Sequence, residues 1–311
     1  MIRELNGIKI RKRRKEPLSR KIFVFFNTLV ITLISLTFIL PYINILAKSL
    51  NAARDTMLGG LTFYPRDLTW DNYKVIFGNP STWSGLKVSV MRVIVGSLFS
   101  MMIQYMVAYA LTRKKLPFRR GIVIYFTIPM FLSGGLISEY VFFSKLGVLD
   151  TFWVYIFPAS FSFYNMVIIR TYLQGIPESL IESARLDGAS EFKILYSVMI
   201  PLSMPIVATI LLWCAVSHWN DWTRTLYFVE NRDLYTLQYN LQLAIKQADT
   251  VQDMIQQAIE SGRPLGDIDA GITGESIQAA QMIFTTLPIV CLYPFLQKYF
   301  MSGVMIGSVK E

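Results

Sequence analysis

An all-α integral membrane fold with six transmembrane helices is predicted by three observations. The 311-residue chain is 53% hydrophobic and only 16% charged, with mean hydropathy +0.42, against about 25% charged residues in an ordinary soluble domain. Its apolar residues gather into six stretches, each near the ~20 residues a helix needs to cross a ~30 Å hydrocarbon core at ~1.5 Å per residue. Many of its cations collect at the ends of those stretches. Such a composition excludes a large water-soluble enzyme and a disordered chain.

The first stretch, 22–47, follows a basic tail, 1–21, that holds nine of the 30 lysines and arginines. Its uncharged run from Ile22 to Ile43 is longer than the roughly 7 to 15 residues of a signal-peptide core, so it reads as a retained membrane helix. The second, 87–111, carries Lys87 and Arg92 in its first turns. These cations either face an acidic substrate or snorkel to the outer surface. The third, 121–143, follows the cluster Arg113, Lys114, Lys115, Arg119 and Arg120. The remaining stretches are 151–172, 203–224 and 280–301.

Lysine and arginine placement sets orientation. Both termini and the 113–120 turn fall on the cytoplasmic side, with loops 48–86 and 225–279 outside. The second external loop holds eight acidic residues against three basic ones, with Arg224 at its edge. Loop 48–86 contains Trp70, Tyr73, Phe77 and Trp83, spaced like a small packed cap. Residues 234–260 predict a helix with Leu237, Leu241 and Ala244 on one face, and 261–276, with four glycines and a proline, a flexible loop. The net charge of +9 raises the question of nucleic acid, but charge placed at the ends of apolar runs marks topology, and no nucleic-acid role is expected. Cys214 and Cys291 lie inside apolar segments and His218 is the only histidine, so no disulfide or metal site is expected.

One cytoplasmic segment is more apolar than a solvated loop. In 177–205, Pro177 suits a first helical position. Glu178 and Glu182 lie near the positive end of that helix, and Leu180, Ile181 and Ala184 form an apolar patch. Gly188 permits a left-handed turn. Phe192, Leu195, Tyr196 and Met199 then follow at helical spacing, with Pro201 and Pro205 before the fifth stretch. Two readings are open: an interfacial amphipathic helix, or a helix–turn–helix that presents Ser183, Ala184, Gly188 and Ala189 to a docking partner.

Glu182-Ser183-Ala184, three residues, Gly188, nine residues and Val198-Met199-Ile200-Pro201 closely resemble the EAA loop of bacterial ABC-importer permeases. The departures from that pattern, Ser183, Val198 and Ile200, are mild. Leu186-Asp187-Gly188-Ala189-Ser190 resembles the carbohydrate-uptake branch, and the C-terminal run from Phe295 to Phe300, with Gly303, Gly307 and Val309-Lys310, is similar to the tail of maltose-type second permeases. The long loop 225–279 looks most like the complex-oligosaccharide branch, the lipoprotein-linked and aldouronate type. The resemblance implies a type I importer permease domain over 22–311, with 177–201 as its cytoplasmic coupling loop in a bacterial inner membrane.

It also implies partners: a second related permease, two ATPase subunits that carry ATP and Mg, an external solute-binding protein or lipoprotein, an oligosaccharide, and membrane lipid. Glu182, Ser183, Ala184, Asp187, Gly188 and Ala189 would then couple to an ATPase. No Gly-Lys pair, and so no phosphate-cradling Gly-x-x-x-x-Gly-Lys loop, occurs in the sequence, which agrees with ATP hydrolysis on another polypeptide. This chain itself is then not an enzyme and holds no cofactor.

Several residues carry two readings. Glu139 lines the cavity or marks the outer interface. Asn165 and Gln104 bond neighbouring helices or sugar hydroxyls. Trp219 and Asn220, in the run from His218 to Trp222, belong to an aromatic belt or to a sugar pathway. The competing functions are a secondary transporter, disfavoured by the lack of a repeat and of many mid-helix charges, and a multi-pass membrane enzyme, for which no catalytic cluster is evident.

Overall fold

The computed structural model describes residues 3–5, 8–10, 17–57, 59–114, 116–132, 134–260 and 275–308. These are overwhelmingly helical. The exception in the expected basic tail is an antiparallel pair, β1 (Arg3–Leu5) with β2 (Ile8–Ile10). Asn6-Gly7 separates them in sequence, the dipeptide that two-residue hairpins favour.

Helix α1 (Leu18–Ser49) is 32 residues long, and none of its most apolar window is buried against the rest of the chain. A helix apolar all round and uncovered by protein has lipid as its solvent. Only its C-terminal end, around Ala47 and Ser49, is buried. There the chain enters a compact cap built from α2 (Ala53–Met57) and α3 (Asp71–Gly78). Asn51 anchors it: its Oδ1 accepts the backbone N–H groups of Arg66 and Asp67, each at 2.8 Å. Trp70, Tyr73, Phe77 and Trp83 form a continuous row of rings, with successive centroids 5.7, 6.3 and 6.0 Å apart.

Helix α4 (Pro80–Thr112) is the central post. Asn79 caps it, its side chain accepting the Ser81 N–H at 3.0 Å, and Pro80 occupies the first turn, where its missing N–H costs nothing. Its buried face includes Gly85, Ser89, Gly96, Ser97 and Ser100, small residues that let helices approach closely in a membrane. At Gly96 a Cβ would sit 2.5 Å from the His218 ring. Because that ring is buried, Gly96→Ala is expected to cost about 1–3 kcal/mol of overpacking and to lower the unfolding temperature of the detergent-solubilised protein. Adding His218→Ala should recover much of that loss; no recovery would place the strain elsewhere.

The third and fourth expected spans are broken. Helices α5 (Arg119–Phe131) and α6 (Gly135–Lys145) lie at 117° to each other, and Gly135 has φ +77°. The stretch 151–172, expected as one helix, is a correction: a buried 3-10 turn at Phe152–Tyr155 precedes α7 (Phe163–Gln174), only 12 residues long. Pro158 disfavours helix at its predecessor and lacks a donor, while the Ser162 hydroxyl caps α7 by accepting the Asn165 N–H at 3.4 Å. At ~18 Å, α7 alone is too short to cross.

Downstream lie α8 (Glu178–Leu186) and α9 (Glu191–Ile194). A π turn (Leu195–Met199) leads from α9 into α10 (Ile200–Leu202) and then α11 (Met204–Asn220). The helix running Glu191–Leu202 meets α11 at 85°, with Pro201 and Pro205 flanking the bend. Helices α12 (Thr223–Phe228), α13 (Leu237–Glu260) and α14 (Glu275–Ser308) complete the chain. On α13, Leu237 and Leu241 are buried. The flexible loop expected at 261–276 falls largely, and Val309-Lys310 wholly, outside the described residues.

By length and composition α1 and α4 cross a membrane unbroken, and each bent pair supplies one further crossing if counted together. The six expected spans are therefore not six straight rods among the described residues. The main core joins α4, α7 and α11 to the segment 177–201 through Tyr105, Leu111, Ile169, Ile194, Met199 and Ile210.

Candidate functional site

The segment 177–201 folds as two helices reversed at Gly188. Pro177 precedes α8. At its C-terminus the Asp187 N–H donates to the Ser183 carbonyl at 3.1 Å and the Ala189 N–H to the Ala184 carbonyl at 3.0 Å. Gly188 has φ +76° with open space around it, so its conformation, not crowding, demands glycine. Ser190 then caps α9, its hydroxyl accepting the Lys193 N–H at 3.3 Å.

Ion pairs fix this turn to the basic turn after α4. Glu191 accepts from the Tyr109 hydroxyl at 2.8 Å, from Arg113 at 3.1 Å and from Arg185 at 2.6 Å. Lys114 bonds Glu178 at 2.8 Å. That hydrogen bond and the lysine charge hold the Glu178 carboxyl below the usual carboxylate range.

Of the residues expected here, Glu182, Ser183, Asp187 and Gly188 are exposed, whereas Ala184 and Ala189 are half-buried and pack against the chain's own core. From the expected apolar patch, Ile181 is buried and Leu180 partly exposed. The prominent surface was missed: Leu186 is 89% exposed and Phe192 70%, with Tyr196 also outward. Their helical spacing alone could not say which apolar face looks away from the core.

At the opposite end of α11 is a cleft of about 410 Å³ whose lining includes Arg92, Glu139, His218, Asp221, Arg224 and Tyr227. Arg92 neither snorkels nor opens to solvent: its side chain is 1% exposed and ion-paired with Asp221. It also donates to the Asp221 carbonyl at 2.6 Å, with its guanidinium 4.6 Å from the Tyr155 ring centre. Arg224 shares the same carboxylate at 3.1 Å. Lys87 is exposed.

The expected pathway residues separate. Glu139 lines the cleft and Asn220 is exposed. Trp219 is buried and donates its indole N–H to the Thr285 carbonyl at 3.1 Å, so its indole bridges α11 and α14. Gln104 is fully buried beside the Cys214 thiol. Asn165 is half-buried, its amide 3.9 Å from the same sulfur. The cleft's Asp221 and Arg224 were findable in principle, because an arginine inside an apolar helix demands an anion.

A helical membrane protein with a polar cleft at one end of a central helix and an apolar-tipped turn at the other has the build of a transport permease subunit. The chain belongs to the family of binding-protein-dependent transport system inner membrane components, matched over residues 96–305. It is 31% identical to the polygalacturonan/rhamnogalacturonan transport system permease protein YtcP of Bacillus subtilis, over 88% of this chain and 92% of the relative. It is also 30% identical to Protein LplC of the same organism, over 93% and 95%. Its fold is similar, with TM-score 0.79 and 24% identity over 92% of this chain and 99% of the other, to a solved bacterial ABC transporter chain involved in import of the acidic polysaccharide alginate. The chain is thus a membrane-embedded importer permease subunit, not an enzyme.

Proposed function

We propose that the chain is one permease of an ATP-driven oligosaccharide importer and couples to its ATPase through 177–201. The carrying observation is the coupling turn: an apolar tip formed by Leu186 at the end of α8 and by Phe192 and Tyr196 beyond Gly188, the last two on the Glu191–Leu202 helix that leads into α11. A push on the tip is thereby delivered to the helix whose far end lines the cleft. In this reading the termini are cytoplasmic, a second permease completes the pathway, two ATPase subunits supply ATP and Mg, and an external binding protein or lipoprotein delivers substrate to the 48–86 and 225–279 side. Relatives named for polygalacturonan and arabinooligosaccharide transport support the sugar class. A solved neighbour in complex with a pentasaccharide-bound periplasmic protein, TM-score 0.56, offers the arrangement by analogy.

In proteoliposomes holding the complete complex, labelled oligosaccharide uptake should require binding protein and ATP. Uptake driven by an ion gradient without ATP would instead establish a secondary transporter. Leu186→Glu with Phe192→Glu is expected to weaken ATPase retention on affinity purification at least ~10-fold, about 1.4 kcal/mol, as loss of a central apolar anchor does. Full retention would remove the tip from the interface.

A further inference from the structure

The main core and the coupling turn leave one large cavity unexplained. About 840 Å³ in volume, it opens between the α4–α5 turn, α5 and α7, and its lining includes Lys114, Arg119, Arg120 and Arg170. Among the described residues no acidic side chain lines it. Lys114 is engaged by Glu178, but Arg119 and Arg170 come close enough to repel each other, and the Arg170 Nε is buried with no hydrogen-bond partner. Folding thus gathers Arg119, Arg120 and Arg170 around a space that no anion among the described residues lines, an arrangement that favours an external one.

The other wall is apolar. Leu116, Phe118, Val123 and Ile124 line it. Phe118, 87% exposed, stands in a left-handed conformation at the start of α5. From there Ile124, Tyr125, Ile128 and Phe131 leave α5 with an exposed apolar face. A soluble anion would use the cations but not this wall; an acidic protein surface would use neither the wall nor its position where a basic turn meets a membrane-embedded helix. We propose that this cavity is a binding site for an anionic phospholipid, with its phosphate among Arg119, Arg120 and Arg170 and its acyl chain along α5. Basic pockets between membrane helices suit such headgroups.

The proposal rests on membrane embedding and not on the coupling role, so the two fail separately. The intact complex, purified in mild detergent with added phosphatidylglycerol or phosphatidylcholine, is examined by native mass spectrometry. Wild type should keep phosphatidylglycerol through delipidation steps that strip phosphatidylcholine. Arg119→Gln with Arg170→Gln should reduce that retention at least fivefold, while Arg232→Gln, outside the cavity, leaves it unchanged. If the double variant does not assemble, Arg120→Gln, at an exposed position, should still cause a smaller loss. Equal retention of the two lipids, or retention unaffected by an assembled variant, overturns the site. Displacement of the phospholipid by millimolar inorganic phosphate likewise overturns it, reassigning the cavity to soluble anions.

Discussion

Replacing Gly188 with valine is expected to abolish stimulation of the partner ATPase by loaded binding protein while the complex still inserts in the membrane. Gly188 has φ +76°, where a β-branched residue is a genuine outlier. Apart from its chain neighbours, no atom of the described residues lies within 4 Å of the position a Cβ would take, so the damage comes from the backbone. The turn must open, and with it the Ala189-to-Ala184 hydrogen bond that sets α9 against α8. Leu186 and Phe192 then lose their relation to each other and to α11. Gly188→Asn, which tolerates the left-handed region, should retain most of the coupling. ATP hydrolysis in reconstituted complexes is the readout, and undiminished stimulation in the valine variant would sink the coupling assignment.

The second large effect falls at the cleft and is asymmetric. Asp221 serves both Arg92 and Arg224, and its other oxygen accepts the Thr223 N–H at 3.1 Å. Asp221→Ala leaves Arg92, almost wholly buried, without its counter-charge, and breaking a buried pair from one side costs about 3–5 kcal/mol. Arg92→Met removes the buried charge and leaves Asp221 partnered by Arg224, so it should cost clearly less. Thermal unfolding of the purified complex measures both. Arg92→Met combined with Asp221→Ala should be more stable than Asp221→Ala alone. Equal losses for the two single variants would show that Arg92 is hydrated through the cleft rather than desolvated.

Much of the candidate site was legible because it is local. Pro177, the Gly188 turn and the Ser190 cap act over a few residues each, and apolar spacing beyond Gly188 announces an amphipathic helix. What local pattern could not supply was direction. Ala184 and Ala189 look like contact residues by size, yet they turn inward, and Leu186 and Phe192 turn out. A helical period identifies a face; only the packing of α8 and α9 on Tyr105, Ile169 and Ile210 says which face is spent on the core. The same gap explains Trp219. Its place near the end of α11 suggests a belt, but α14, 66 residues on, offers the Thr285 carbonyl.

Apolarity and cation placement settled from sequence alone that this chain is membrane-embedded. These follow from solvent preference and from short-range stereochemistry, which each residue carries with it. Only the tertiary structure decided how the apolar stretches are divided. Pro158 and the Ser162 cap cut 151–172 into a turn and a short helix, and Ser203, between two prolines, bends the Glu191–Leu202 helix 85° from α11. Only the tertiary structure, too, joined Arg92 to Asp221 across 129 residues. A buried charge fixes that it needs a counter-charge but not which one, and that choice belongs to the helix packing that brings the two together.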